Sequence, residues 1–331
     1  IAVDAPQVRL GLIGAGNWGR AYIRTIDSID GVFLGHLCST NPQSKNLVPE
    51  GCRISNDWRT LLAENELDGV IVATPPDTHA AIVTAAVQAK VPVLVEKPLT
   101  ANLSETIELN QLISSSGVPV LIDHSQLFHP AYRQLKQTAF TLGPVLGSCS
   151  TGGQLRAPSQ EVAPLWDYGP HDVALSLDFM RQPPVGVQLL ERSLLQVGRA
   201  AGEVWSFHIE FPGEVLSSIT VGNAMTEKKR CFAVQFQTQT LVFDDLAEDK
   251  LVSYAGNQWP DAGATQLTKD HRQPIAVDPA LPLTLVVEEF VSGIRDPRNL
   301  PPSFGTDLAL EVAKVLSALE DSLSLDYPAG A

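Results

Sequence analysis

The sequence predicts a doubly wound α/β domain followed by an α+β domain built on a large open, mainly antiparallel sheet. Three observations predict it. Short apolar runs alternate with helical patterns up to about residue 125. Strict two-residue alternation takes over after Pro130. Two apolar-faced helical patterns then close the chain.

In the first region "VRLGLIG" is a short apolar run ending in glycine, and "NWGRAYIRTIDSI" continues at helical spacing. "VFLGHLCST" reads as a second strand. "ISNDWRTLLAENE" reads as a loop and helix, with Asn56 or Asp57 as its N-cap. "LDGVIVAT" is a buried strand stopped by Pro75 and Pro76, and "HAAIVTAAVQAK" is helical. "VPVLVEKP" is a strand, "LSETIELNQLISSSG" a helix with a glycine stop, and "VPVLIDHSQ" a strand. Strands alternating with helices of this length imply βαβ units and a parallel sheet.

In the second region, "WSFHIEF" sends Trp205, Phe207, Ile209 and Phe211 one way and Ser206, His208 and Glu210 the other. "PGE" turns the chain into "VLSSITVG", and "CFAVQFQTQTLVF" alternates again with Phe232, Val234 and Phe236 on one face. Such strands are covered on one side only. Leu283, Val286, Val287, Phe290, Val291 and Ile294 line one closing helix; Leu308, Val312, Val315, Leu316, Leu319 and Leu323 line the other. The expected organisation is 7–125 for the first domain, 126–300 for the second, and a helix over 301–325 packing back on the first.

A chain of 331 residues is long enough for two cores. Its formal charge of −14, with no run of Lys or Arg, disfavours nucleic acid and anionic membranes as partners. No apolar stretch approaches the roughly 20 residues of a membrane helix. Cys38, Cys52, Cys149 and Cys231 are scattered with no C-x-x-C pair, which argues against zinc ribbons and redox dithiols. No metal site is expected, and reduced thiols suit a cytoplasmic protein. The chain begins at Ile1, which leaves a removed leader open.

"GAGNWG" sits between a predicted strand and a predicted helix, the context a pyrophosphate-binding turn requires. Gly14 allows the tight turn, Gly16 close backbone approach to phosphates, and Gly19 helix–strand packing; Asn17 and Trp18 lie between them. About 20 residues later, an NAD site usually has an acid that holds the ribose hydroxyls. Here "CSTNPQSK" has none: Ser39 and Thr40 offer hydroxyls and Lys45 a cation, which suits a 2′-phosphate. The expected cofactor is therefore NADP in preference to NAD, with Lys45 as a solvated helix residue the plain alternative.

Ligands of an open parallel sheet lie beyond the carboxyl ends of its strands. Those ends carry Thr74, Pro75, Pro76 and His79; then Glu96 and Lys97; then Asp123, His124 and Gln126. Each has a structural reading beside the functional one: a rigid turn with a capping histidine, an ion pair, a strand end.

Taken together, "GLIGAGNWG", "VIVATPPDTH", "VLVEKPL" and "WDYGPHD", in this order, resemble the glucose–fructose oxidoreductase and inositol dehydrogenase family. The resemblance runs from about residue 8 to the end. It implies that Thr74, Pro75, Pro76, His79, Glu96 and Lys97 lie at the cofactor, with Lys97 at the nicotinamide. It also implies that Asp167 and His171 face it from the second domain. A Lys–Asp–His set would act together: His171 for proton transfer, Lys97 as its electrostatic partner, Asp167 to orient His171 or bind a substrate hydroxyl. Lys97 and His171 can exchange roles. Asp167 and His171 share a helix face if "WDYGPHDVALSLDFM" becomes helical near its start, and Pro170, which suits an early helical position, argues against a start much further upstream. Asp172 reads as structural.

One departure bears on substrate. Family members acting on sugars often carry Arg-Phe before the Pro that follows the last strand; this chain reads "SQLFHP", with Leu127 in place of Arg. His124, Gln126, His129, Arg156 and Trp166 are the candidates for a substrate pocket. The expected activity is hydride transfer between a nicotinamide and a secondary alcohol or ketone of a cyclic polyol, sugar or sugar derivative. The alternatives are a dinucleotide-binding sensor of the same fold, or a reductase of a non-sugar ring compound. A homodimer or homotetramer is expected through the open sheet, whose outer face includes Gln235, Gln237 and Gln239.

Overall fold

The structure is a computed structural model and describes residues 7–63, 66–157, 162–197, 200–255, 272–299 and 305–326. The chain divides into two compact units. One comprises residues up to Ser125 together with Leu281–Ala313; the other comprises Gln126–Ala280 and the residues from Lys314 on.

The first unit alternates strand and helix: β1 (Val8–Ile13), α1 (Asn17–Asp27), β2 (Val32–Cys38), β3 (Arg53–Ser55), α2 (Trp58–Leu62), β4 (Gly69–Val72), α3 (His79–Gln88), β5 (Val93–Glu96), α4 (Leu103–Ser116) and β6 (Val120–Asp123). The six strands form one parallel sheet in the order β3-β2-β1-β4-β5-β6. The chain moves outward from β1 to β3 and returns at β4 on the other side. The switch point therefore lies between β1 and β4, where such sheets open a crevice for a ligand.

Local signals fix the helices. Asp57 caps α2 by accepting from the Arg59 N–H at 3.0 Å. Asn102 caps α4 by accepting from the Glu105 N–H at 2.9 Å, and Gly117 ends it at φ 69°. Every residue of β4, β5 and β6 is buried, as a sheet covered on both faces demands. Val70, Val72, Val93, Val95, Val120 and Ile122 meet α3 and α4 residues in one core layer. The alternate residues face the layer that contains Tyr22 and Ile26 of α1.

The sequence puts residues 282–295 with the second domain. In the structure this helix, α7 (Pro282–Arg295), clusters with the first unit. The reason is local. Gly69 leaves room for Phe290 and Ile294, whose ring and methyl carbons lie within 2.9 Å of where a β-carbon at Gly69 would sit.

The second unit holds α5 (Pro130–Ala139), β7 (Val145–Leu155), α6 (Pro164–Met180), β8 (Gly186–Val197), β9 (Ala200–Phe211), β10 (Val215–Gly222), β11 (Ala224–Phe236), β12 (Gln239–Asp244), β13 (Leu251–Ala255) and β14 (Arg272–Pro274). A last helix, α8 (Thr306–Asp326), contributes to both units. The eight strands form one sheet, β14-β13-β12-β11-β7-β10-β9-β8, antiparallel except for the β7–β10 pair. Trp205, Phe207, Ile209 and Phe211 are buried on the helix-covered face, as are Phe232, Val234 and Phe236. The turn after β9 places Gly213 and Glu214 at positive φ, 79° and 62°.

Two expectations shift here. Gln235 is exposed on the outer face, but Gln237 lies in the β11–β12 turn. Gln239 is in phase with the buried Leu241 and Phe243, because the turn reverses which alternate set faces inward. The start of α6 also moves upstream. The helix begins at Pro164 and runs through Pro170, with Leu165 and Trp166 buried in its first turn and Gly169 admitting the Leu316 side chain. Proline at the first helical position needs no intrahelical donor, so Pro164 is the residue that opens this helix. Among the described residues no helix is long and apolar enough to cross a membrane.

Candidate active site

In the first unit the sequence-marked residues gather along one edge of the parallel sheet, at the carboxyl ends of β1, β2, β4, β5 and β6. Gly14 turns the chain at φ 100°, and a β-carbon there would lie 2.4 Å from the Ala73 carbonyl oxygen. Gly19 is equally constrained: its β-carbon would meet the Gly14 carbonyl at 2.1 Å. Gly16 differs, for among the described residues nothing beyond its immediate chain neighbours lies within 4 Å of its missing β-carbon. Gly16 is also the N-cap of α1, and no side chain caps the helix. The first-turn amides of Asn17, Trp18 and Gly19, open space beside Gly16 and an acid-free first turn make a cradle for an anionic diphosphate. The residues present fit a dinucleotide. Trp18 is exposed beside this turn.

At the end of β2, the Ser39 hydroxyl pairs with Ser44 at 2.9 Å and accepts from the Asn41 N–H at 3.2 Å. Asn41 caps the short 3-10 turn Pro42–Leu47, on which Lys45 is exposed; Thr40 is exposed before it. No carboxylate stands in this stretch.

At the end of β4, Thr74, Pro75 and Pro76 are half-buried. The Thr78 hydroxyl sits 2.7 Å from both the Thr74 hydroxyl and the Pro75 carbonyl. His79 is completely buried, its Nδ1 2.9 Å from the Pro98 carbonyl and its Nε2 2.9 Å from the Thr74 carbonyl. It ties the loop after β4 to the loop after β5. Burial lowers its basicity, and the two carbonyls oppose that effect.

At the ends of β5 and β6, Glu96 and Asp123 are register partners on adjacent strands, and both are buried. The Tyr22 hydroxyl donates to Asp123 Oδ2 at 2.5 Å. Burial, then repulsion from Asp123, pushes the Glu96 carboxyl well above the ordinary range, against the pull of the Lys97 cation and the Tyr22 hydrogen bond. Burial likewise raises Asp123 to about 6, opposed by Tyr22 and Lys97. His124 is buried, and neither ring nitrogen has a hydrogen-bond partner among the described residues. Burial and the Lys97 charge bring it down to about 4, so it is neutral near pH 7. Lys97 itself is half-buried.

In the second unit, α6 carries the other candidates. The helical hydrogen bond from the Asp167 N–H to the Ala163 carbonyl, 3.0 Å, shows that the helix is formed before Asp167. Asp167 and His171, four residues apart, therefore share a face, and both are half-buried. Asp172 points into the unit, where the Ser150 hydroxyl donates to its Oδ1 and the absent side chain of Gly152 leaves room for its Oδ2. Burial raises its pKa to about 7, against Ser150 and Arg230.

The remaining pocket candidates fare differently. Trp166 is a buried core residue of α6. Arg156 is exposed, its backbone held by Asn223 at both its N–H and its carbonyl. His129 caps α5 by accepting from the Ala131 N–H at Nδ1, which leaves Nε2 facing Asp245 at 3.3 Å. Gln126 is half-buried in the turn before α5. Sequence reasoning missed the tie between Tyr22 and Asp123. Its signals were a tyrosine on the inward side of α1 and a second acid in register with Glu96.

Known proteins share this layout. The model of an oxidoreductase family with an NAD-binding Rossmann fold matches residues 8–124. A crystal structure of a candidate oxidoreductase from Magnetospirillum magnetotacticum MS-1 aligns with TM-score 0.85 at 36% identity, over 95% of this chain and 99% of that one. The chain belongs to the glucose–fructose oxidoreductase and inositol dehydrogenase family. Family relatives include an inositol 2-dehydrogenase of Saccharopolyspora erythraea, 30% identical over 44% of this chain and 45% of its own length. Another is a UDP-N-acetylglucosamine 3-dehydrogenase of Acidithiobacillus ferrooxidans, 29% identical over 55% of this chain and 57% of its own length. The chain thus spans about half the length of these curated family members.

Proposed function

We propose that the protein is an NAD(P)-dependent oxidoreductase acting on a secondary alcohol or ketone of a cyclic polyol, sugar or sugar derivative. The observation that carries this reading is the open side of Gly16 at the uncapped start of α1, flanked by two glycines that the fold itself requires. The dehydrogenase relatives support the substrate class.

Bound at this edge, a nicotinamide supplies or takes the hydride. The chain's own residues handle the proton and the charge. The substrate oxygen gains or loses a proton as its carbon changes oxidation state. Histidine is the side chain suited to that exchange near neutral pH, and His171 is the one on α6. A lysine ammonium stabilises negative charge developing on a carbonyl oxygen, which is the role assigned to Lys97. Asp167, on the same helix face as His171, orients it or binds a substrate hydroxyl. NADP is the preferred cofactor, supported by the acid-free stretch from Ser39 to Lys45.

The outer face of the second sheet supports a homodimer or homotetramer. Across four strands it presents rows of small side chains: Ser206, Thr220, Thr151 and Cys231, then His208, Ser218, Cys149 and Ala233. Leu195 and Leu216 are exposed on the same face. Four free cysteines suit the cytoplasm.

Titration of NADPH and NADH, followed by a panel of cyclic polyols and sugars with the tighter cofactor, tests the reading. NADPH is expected to bind at least about tenfold more tightly. Lys97→Ala and His171→Ala are each expected to lower turnover by about 100- to 10,000-fold while cofactor binding persists. A bound cofactor with no turnover across the panel, or unchanged turnover in both variants, overturns it in favour of a sensor.

A further inference from the structure

The family resemblance implies that His79 lies at the cofactor, but its surroundings give it another task. The side chain is completely buried at the start of α3. Both ring nitrogens face carbonyl oxygens of the protein, Nδ1 that of Pro98 and Nε2 that of Thr74, each at 2.9 Å. The Leu99 carbonyl also faces the ring. A ring enclosed in this way has no nitrogen to offer a ligand.

Carbonyl oxygens only accept, so each close contact calls for a proton on the ring. An imidazolium would supply two, but burial lowers the basicity of His79, and Asp77, the acid that faces it, is exposed to water. The ring is therefore neutral near pH 7, with one N–H for two carbonyls. Burial decides between them. Pro98 is buried, whereas Thr74 is half-buried. A carbonyl without a donor costs most where water cannot reach it, so the proton belongs on Nδ1 and is donated to Pro98.

That bond lands beside Lys97. The chain reaches Lys97 from β5, whose last residue, Glu96, is in register with Asp123 of β6. It leaves through Pro98 and is anchored again at Thr100, whose hydroxyl lies 2.7 Å from both Thr106 Oγ1 and the Asn102 carbonyl at the start of α4. Lys97 thus stands between the end of the sheet and the carbonyl that His79 holds.

We propose that His79 is a positioning residue: its Nδ1–H holds the Pro98 carbonyl and so fixes the backbone from which Lys97 serves the reaction. This rests on the reading of Lys97 as the electrostatic partner of His171.

Two substitutions separate the two sides of the ring, because an asparagine amide reaches the place of Nδ1 and a glutamine amide that of Nε2. His79→Gln is expected to lower kcat by about 10- to 100-fold, the cost of slightly misplacing a reacting group, while the Kd for NADPH is unchanged. His79→Asn keeps most of kcat, although both variants melt earlier than the parent. Equal losses of kcat in the two folded variants, or no loss in His79→Gln, overturn the proposal. A second measurement needs neither turnover nor substitution. Long-range proton–nitrogen NMR spectra of the histidine-labelled, cofactor-free protein near pH 7 are expected to show His79 protonated at Nδ1 alone. A proton on Nε2 alone, or on both nitrogens, overturns the proposal whatever the activity. A proton on Nδ1 combined with full activity in Lys97→Ala upholds the tie to Pro98 and overturns the role assigned to Lys97, so the two failures separate.

Discussion

The first unit's sheet is covered on both faces and the second unit's on one, and their buried acids differ accordingly. Glu96 and Asp123 stand at the edge of the closed sheet with a tyrosine, a lysine and two oxygens that have no partner among the described residues. Asp172 also lies buried, against the inner face of the open sheet, but Ser150 donates to it and Gly152 is shaped around it. One set is incompletely partnered among the described residues; the other is a carboxyl fitted into a socket. Burial alone thus does not separate the two kinds of acid, whereas the completeness of their partners does.

The comparison sharpens through stability against pH, where the largest effect is expected. Asp172 keeps its proton to about pH 7 in the folded protein, against an ordinary value of 3.8. Between those values the folded state binds a proton that the unfolded chain has released. Stability contributed by the neutral carboxyl is therefore complete below about pH 4 and falls as pH rises towards 7. A shift of roughly three pH units corresponds to about 4 kcal/mol at most. Asp123 contributes the same sign, but its window closes at about 6. Asp172→Asn is expected to remove the part of the slope between pH 6 and 7 and to raise Tm at pH 8 relative to the parent. Denaturant melts at half-unit pH steps check this, and an unchanged slope between 6 and 7 sinks the assignment.

A second contrast lies within the first unit, between two glycines of one turn. Gly14→Ala places a β-carbon against the Ala73 carbonyl in a positive-φ backbone, at an expected cost of about 3 kcal/mol in stability. Gly16→Ala meets no atom of the described residues beyond its chain neighbours, so the melt should stay within about 0.5 kcal/mol of the parent. Its effect falls on the ligand instead, with cofactor affinity expected to drop at least about tenfold. Equal affinity for cofactor in parent and Gly16→Ala breaks the cradle argument.

Much of this was legible in the chain. The strand and helix order of the first unit, its glycine turn and the inward faces of β9 and β11 follow from apolar period and punctuation, which are local properties. The start of α6 was misplaced because two prolines compete for the first helical position, and only packing by Leu165, Trp166 and Gly169 decides in favour of Pro164. Gln239 was assigned to the wrong face because the number of residues in the β11–β12 turn sets the phase of the next strand. The Tyr22–Asp123 tie spans 101 residues, and no local pattern announces it. Of the pocket candidates, Trp166 and His129 are aromatic residues whose type suggested a ligand and whose burial reflects packing and capping.

The smallest effect tests how the two units start their helices. In the first unit α4 depends on a side chain: Asn102 Oδ1 accepts from the Glu105 N–H at 2.9 Å. In the second, α6 follows Ala163, which has no capping side chain, and its first turn is instead held by buried apolar residues. Asn102→Ala should cost about 1 kcal/mol, the usual loss on removing an N-cap. Ala163→Ser introduces a capping hydroxyl where packing already fixes the helix start, and its gain should stay below about 0.5 kcal/mol. If Ala163→Ser stabilises the protein as much as Asn102→Ala destabilises it, the first turn of α6 is limited by its cap and not by the burial of Leu165 and Trp166. The shared helical face of Asp167 and His171 would then depend on the weakest turn of that helix, and the same substitution would tighten it.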